Sequence, residues 1–144
     1  MAQALADAPF AWPVRVYWED TDAGGIVFYA NYLKFFERAR TEWLRQLGVS
    51  QQALRERSGG MFVVTGTELR YHRPARLDDC LQVTALVQER GRASLVLQQA
   101  AWLTPDGQTP QLLCEGTVRI GWVDALSLRP ARLPAPLLQA LTPT

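Results

Sequence analysis

Asp20-Thr21-Asp22-Ala23-Gly24-Gly25-Ile26-Val27-Phe28-Tyr29-Ala30-Asn31-Tyr32 is the stretch on which the reading of this chain turns. Ahead of it, Val14, Val16 and Trp18 alternate with Arg15, Tyr17 and Glu19, the period-2 pattern of a half-buried strand. Within it the pattern breaks. Two aspartates and a glycine pair are turn chemistry, since glycines accept backbone angles and close approaches that other residues resist. Behind it the period becomes helical: Tyr32, Phe35, Phe36, Ala39, Trp43, Leu44 and Leu47 fall on one face, Lys34, Glu37, Arg38, Glu42 and Arg45 on the other, and Gly48 supplies a stop. A helix with so wide an aromatic face needs an extended apolar surface to cover it, and a sheet provides one.

The remainder of the chain supplies that sheet. Ser50 to Ser58 reads as a short second helix with Ser50 as N-cap, ended by Gly59-Gly60. Four strands follow, roughly Met61–Tyr71, Cys80–Glu89, Ala93–Leu103 and Gln111–Val123, with clear alternation in Leu81, Val83, Ala85 and Val87 and again in Cys114, Val118, Ile120 and Trp122. Arg90-Gly91-Arg92 and Thr104-Pro105-Asp106-Gly107 are hairpin-length turns, so the last three strands form an antiparallel meander. Trp102 and Trp122 are placed in sheet or interface packing. The tail has room for one short helix after Pro136. One long helix against five strands is an α+β arrangement, a single domain over residues 1–144 with a loose segment at 1–12 and a tail at 125–144. A single helix covers one face of such a sheet, so at least a dimer is expected.

Composition narrows the function. At 144 residues, 48% hydrophobic and 20% charged, the chain has the size and core of one folded domain. Fifteen basic residues against fourteen acidic ones leave a net charge of +1, with no general excess for a nucleic-acid partner. Met1 to Trp12 contains Asp7 and no basic residue ahead of an apolar run, unlike a signal peptide, and no apolar run approaches the ~20 residues that span a bilayer. A cytoplasmic protein is expected. Cys80 and Cys114 lie outside any C-x-x-C pair and read as two buried thiols. His72, the one histidine, has no Ser or Cys motif to activate and no second ligand for a metal, so no metal site is expected. Gly24-Gly25 fits neither a dinucleotide fingerprint nor a P-loop.

The acidic loop is where chemistry concentrates. The first turn of a helix exposes unpaired N–H groups with partial positive charge, suited to polarising a carbonyl and holding an oxyanion. An aspartate seven residues earlier, folded back by the glycine loop, can sit beside the same carbonyl as nucleophile or general base. Taken alone, the same residues also describe an ordinary Asp-capped turn.

Val16-Tyr17-Trp18-Glu19 followed by the quoted loop through Leu33, then Phe36-Glu37-Arg38-Ala39-Arg40-Thr41-Glu42, resembles the signature of the YbgC/4-hydroxybenzoyl-CoA thioesterase family. The likeness continues through Pro74-Ala75-Arg76-Leu77-Asp78-Asp79 to Val123-Asp124. What the resemblance implies is a hotdog fold, a curved antiparallel sheet of about five strands wrapped around the long helix, with protomers paired into dimers and commonly assembled into homotetramers. It implies hydrolysis of an acyl-CoA to free acid and CoA without a cofactor, an acyl carrier protein being the other carrier to consider. Asp22 takes the place of the catalytic carboxylate, and the Tyr29 N–H that of the donor that polarises the thioester carbonyl. Gly25 and Ile26 in the loop, and Val64 with Val63 and Thr65 from an opposing protomer, are the expected substrate lining. Arg90 and Arg92, followed by Ser94, take the place of the segment that contacts the CoA phosphates, while Arg70, Arg73 and Arg76 form a second basic cluster without an assigned role.

Two departures matter. Many YbgC-type members resemble one another in having histidine where this chain has Tyr29 and tyrosine where it has Trp18. A mechanism through a side-chain histidine is therefore put in question, whereas one through Asp22 and a backbone donor is unaffected. The rival class is a non-catalytic module on the same fold that binds CoA or an acyl carrier protein, or that partners envelope assembly.

Overall fold

The structure, a computed structural model, describes residues 10–141. Five strands, β1 (Ala11–Arg15), β2 (Gly60–Tyr71), β3 (Cys80–Arg90), β4 (Ser94–Leu103) and β5 (Gln111–Asp124), form one sheet in the order β1-β3-β4-β5-β2. Every neighbouring pair is antiparallel. Three helices accompany them: α1 (Tyr32–Gln46), α2 (Gln51–Ser58) and α3 (Ala135–Leu141). The expected meander is β3-β4-β5, and β1 and β2 are left as edges. Among the described residues, no helix is long and apolar enough to cross a membrane.

Helix α1 lies across the sheet against β1, β3 and β4. Its buried face is Tyr32, Phe35, Phe36, Ala39, Trp43 and Leu44, the apolar set read from the periodicity. Those side chains meet Val14, Leu81, Val83, Ala85, Leu95, Leu97 and Ala101 in one core. Full burial of a Phe or Leu is worth ~1.5–3 kcal/mol, so Phe35, Phe36 and Leu44 anchor the helix. Ser50 caps α2 by accepting from the Ala53 N–H at 3.3 Å, and Gly59 ends it at a left-handed φ of 75°. Trp102 and Trp122 are buried in the sheet.

Three expectations need correction. Strand β1 begins at Ala11 and ends at Arg15, so Ala11 and Trp12 are paired strand rather than loose segment, while residues 1–9 lie outside the described residues. The apparent alternation from Val16 to Glu19 is not strand. Val16 exchanges bonds with Asp78 and Asp79, and the chain then bends into a 3₁₀ turn at Trp18–Asp20 because the Asp20 carboxylate accepts the Tyr17 N–H at 2.8 Å. Of the two cysteines, Cys114 is buried but Cys80, at the outward-facing start of β3, is exposed.

Candidate active site

The acidic loop folds into a narrow antiparallel ribbon. Thr21 bridges Val27, the Asp22 N–H donates to the Ile26 carbonyl at 2.9 Å, and the Phe28 N–H to the Asp20 carbonyl at 2.9 Å. Gly25 turns the tip at φ 81°, a left-handed angle that glycine adopts without penalty. Ile26 and Val27 tie the ribbon to the body, Ile26 by bridging Arg76 and Val27 by donating to the Ala75 carbonyl at 2.9 Å.

The two aspartates have opposite environments. Asp20 is buried, and its carboxylate accepts from the Tyr17 N–H and from the Asn31 side-chain amide, both at 2.8 Å. Asp22 is exposed at the tip, and one carboxylate oxygen, Oδ1, accepts from the Gly24 N–H at 2.8 Å. A side chain on Gly24 would bring Cβ to 3.2 Å of that oxygen, so the glycine leaves the carboxylate uncrowded. Asp20 therefore builds the loop, and Asp22 is the carboxylate it presents.

Tyr29 opens a 3₁₀ turn, Tyr29–Asn31, that runs directly into α1. Its N–H has no acceptor among the described residues, as expected for the first position of a helical turn. The carbonyl of Tyr29 accepts from the Tyr71 hydroxyl at 2.9 Å, which pins the turn to the end of β2. The rings of Phe28, Tyr29 and Tyr71 pack on one another, yet all three residues are about half exposed or more, and Trp18 nearby in the chain is 80% exposed. A patch of this kind is suited to cover by a partner or ligand. Tyr71 carried no sequence signal for this role, because its partner lies 42 residues away.

Val64 lies elsewhere, on the exposed middle of edge strand β2, where it lines a cavity of about 200 Å³ with Glu37, Arg40, Thr41, Val63 and others. Arg40 is held there by Gln99, whose Oε1 accepts from it at 3.0 Å, and burial draws the Arg40 pKa below its usual value. Gln99 itself is fully buried and donates to the carbonyls of Phe36 and Thr84. Sequence reading passed over this network.

Arg90, Gly91 and Arg92 form the β3–β4 turn, with Ser94 beside them: the Gly91 N–H donates to the Ser94 carbonyl at 2.8 Å, and a Cβ on Gly91 would meet the Ser94 hydroxyl at 2.9 Å. The turn is at the far end of β3 from the acidic loop. Ten rises along β3 place it roughly 30 Å from Cys80, the end near which Asp79 and Arg76 hold the Asp22 loop. The chain thus carries Asp22, Gly25, Ile26 and Tyr29 on one ribbon and its helical exit, and keeps Val64, Arg90, Arg92 and Ser94 apart from them. Arg73 and Arg76 flank the Ala75 that receives Val27, and both are exposed.

Residues 16–141 match the model of the thioesterase-like superfamily. The chain belongs to that superfamily. This thioesterase-like chain is 42% identical to the acyl-CoA thioesterase YbgC of Haemophilus influenzae over 130 residues, covering 90% of the chain and 92% of the relative. It is 45% identical to the acyl-CoA thioester hydrolase YbgC of Escherichia coli O157:H7 over 125 residues, covering 87% and 90%. Among solved structures, a probable thioesterase from Bartonella henselae superposes with a TM-score of 0.75 at 32% identity, over 86% of this chain and 98% of that one. A 4-hydroxybenzoyl-CoA thioesterase solved with 4-hydroxybenzoyl-CoA superposes with a TM-score of 0.85 over 92% and 97%, and at 20% identity that likeness bears on the fold alone. The hotdog arrangement implied by the sequence is the one observed.

Proposed function

We propose that this thioesterase-like chain hydrolyses acyl-CoA thioesters, with Asp22 as nucleophile or general base and the Tyr29 N–H as oxyanion donor. The observation that carries this reading is the pairing of an exposed, glycine-flanked carboxylate with an unsatisfied N–H at the start of a helical turn, both on one ribbon. The relatives' names supply the reaction class. Attack on the thioester carbonyl, by Asp22 or by a water it deprotonates, places negative charge on the carbonyl oxygen, and a preorganised N–H there is worth ~3 kcal/mol in the transition state. The C–S bond then breaks and the thiolate takes up the proton given up by the water to leave as CoA thiol; where Asp22 itself attacked, water then hydrolyses the Asp22–acyl anhydride and restores the carboxylate as the free acid departs. The reaction draws on a carboxylate, water and a backbone donor, and calls on no cofactor or side-chain histidine.

In this reading the site is shared between copies. Edge strand β2 is exposed from Val64 to Glu68, an unpaired ladder suited to a second chain. Its Tyr71 end stands beside Tyr29, and its Gly60 end pairs with Asp124 near the β3–β4 turn. An antiparallel partner along β2 would carry its own Val63–Val64 segment and arginine turn toward the Asp22 loop. A homodimer completes the site, and a homotetramer pairs two such dimers.

Free-thiol release from short, long and aromatic acyl-CoAs tests the proposal, on the wild type and on Asp22→Asn, with oligomeric state checked by sedimentation. Release by the wild type and loss of ~100-fold or more in the folded variant support the carboxylate role. Equal background rates across the panel overturn it and favour a non-catalytic binder of CoA or an acyl carrier protein.

A further inference from the structure

The end of β2 and the connection that follows it hold both halves of the site. Tyr71, the last residue of β2, pairs with Cys114 of β5, and His72 after it donates its N–H to the Leu113 carbonyl at 2.7 Å. The His72 ring fixes the same point a second time, its Nε2 lying 2.9 Å from Glu115 Oε2. From this anchored end the Tyr71 hydroxyl donates to the Tyr29 carbonyl at 2.9 Å. Four residues further on, the Ala75 carbonyl accepts the Val27 N–H, also at 2.9 Å, and Arg76 beside it bridges Ile26. One short segment of chain thus grips the ribbon of Asp22 on one side and the turn of Tyr29 on the other.

Within the turn, two successive peptide groups are held by different means. The Phe28 carbonyl, in the same peptide group as the Tyr29 N–H, accepts from the Asn31 N–H at 2.8 Å, a bond internal to the turn. The Tyr29 carbonyl, in the next peptide group, accepts from Tyr71, a bond that comes from the sheet. The first sets the shape of the turn, and the second sets its angle against the sheet. The Tyr71 ring adds packing, its centroid 6.3 Å from that of Tyr29 and 5.8 Å from that of Tyr32. Tyr71 is half exposed, so water can replace its hydroxyl on the carbonyl and little stability depends on that bond. Orientation is another matter, because a donor displaced by about 1 Å, or turned by roughly 10–20°, no longer meets a developing oxyanion well.

We infer that Tyr71 is a positioning residue for hydrolysis, its hydroxyl acting through the Tyr29 backbone to aim the Tyr29 N–H at the carbonyl oxygen where negative charge develops; this rests on the thioesterase reading above. Tyr71 takes part in no chemical step, because its one hydroxyl hydrogen is committed to the Tyr29 carbonyl. An aim that matters only for the developing charge is expressed in kcat, while ground-state binding of the thioester leaves KM as it is.

The experiment uses the full chain as wild type, Tyr71→Phe, Tyr29→Pro and the double variant, with fold and assembly checked by circular dichroism and sedimentation. Phenylalanine keeps the ring and removes the donor. With the acyl-CoA that the wild type hydrolyses fastest, Tyr71→Phe is expected to lower kcat about ten-fold at unchanged KM. The same change in the Tyr29→Pro background is expected to cost nothing further, as two residues acting through one donor require. A Tyr71→Phe kcat equal to that of the wild type, or an equal loss in both backgrounds, overturns the proposal. A second measurement is independent of turnover. Tyrosine labelled with heavy nitrogen gives four backbone amide signals, from Tyr17, Tyr29, Tyr32 and Tyr71. Tyr71→Phe is expected to shift and broaden the Tyr29 signal while that of Tyr17, whose N–H is held by Asp20, stays in place. If the wild type hydrolyses no thioester, the thioesterase reading fails and the positioning role falls with it, whereas a Tyr29 signal that does not move overturns the positioning role alone.

Discussion

The side-chain amide of Asn31, at the entrance to α1, donates to the buried carboxylate of Asp20 at 2.8 Å, and this bond closes the ribbon whose tip presents Asp22. Loop and helix start are therefore one unit, in which Asp20 is the buried structural carboxylate and Asp22 the exposed one to which the proposed mechanism gives the chemistry.

That division is measurable. Asp20→Ala leaves the Tyr17 N–H and the buried Asn31 amide without their acceptor, so it is expected to cost ~2–3 kcal/mol in urea unfolding. Asp22→Asn keeps an oxygen for the Gly24 N–H and is expected to stay within ~0.5 kcal/mol of the wild type while hydrolysis is lost. Equal stability losses at the two positions would contradict the assignment.

Tyr29→Pro tests the proposed oxyanion donor directly. Tyr29 is the first residue of its turn, and the preceding Phe28 has an extended backbone, φ −60° and ψ 131°, the conformation favoured before proline. The substitution deletes the N–H and spares the fold. A loss of ~3 kcal/mol in transition-state stabilisation, roughly 100-fold in kcat, is expected, against a small effect for Tyr29→Phe. A kcat for Tyr29→Pro within a few-fold of wild type rules the donor out.

Alkaline pH probes the buried Cys114 thiol and the Tyr32 hydroxyl. Burial, with the Glu115 charge adding to it, pushes Cys114 up to about 12, and burial likewise pushes Tyr32 up to about 12. Both acids stay protonated in the fold at pH values where the unfolded chain ionises, so the native state binds more protons and stability falls as pH rises from about 9 toward 12. Urea midpoints across that range are expected to decline, less steeply in Cys114→Ala. At neutral pH a thiol reagent should modify exposed Cys80 in the native protein and Cys114 only after unfolding. Rapid native labelling of both would be inconsistent with this packing.

Leu128 offers a route to higher stability. It is exposed and held at φ 62°, in the reversal that aims the tail at the arginine turn. A non-glycine residue there carries a steric penalty, so Leu128→Gly is expected to gain up to ~1 kcal/mol, read as a rise in Tm. A fall in Tm would show that the leucine contributes contacts exceeding the strain.

Much of this protein could be read along the chain. The face of α1, the Ser50 cap, the Gly59 stop and the spans of β2 to β5 follow from periodicity and turn chemistry, because those signals act between residues a few positions apart. The end of β1 could not be read that way. Alternation continues through Trp18, and only the Asp20 carboxylate, buried against Asn31, bends the chain into a turn. The same holds within the site. Sequence brought forward Asp22 and Tyr29, whereas the Tyr71 hydroxyl on the Tyr29 carbonyl and the Leu133 N–H on the Arg92 carbonyl are bonds between distant segments. Local propensity and pattern determined which elements exist. The tertiary structure decided which carboxylate is buried, which is presented, and which turn the C-terminal tail returns to, because burial and return depend on register and packing between residues far apart in the chain.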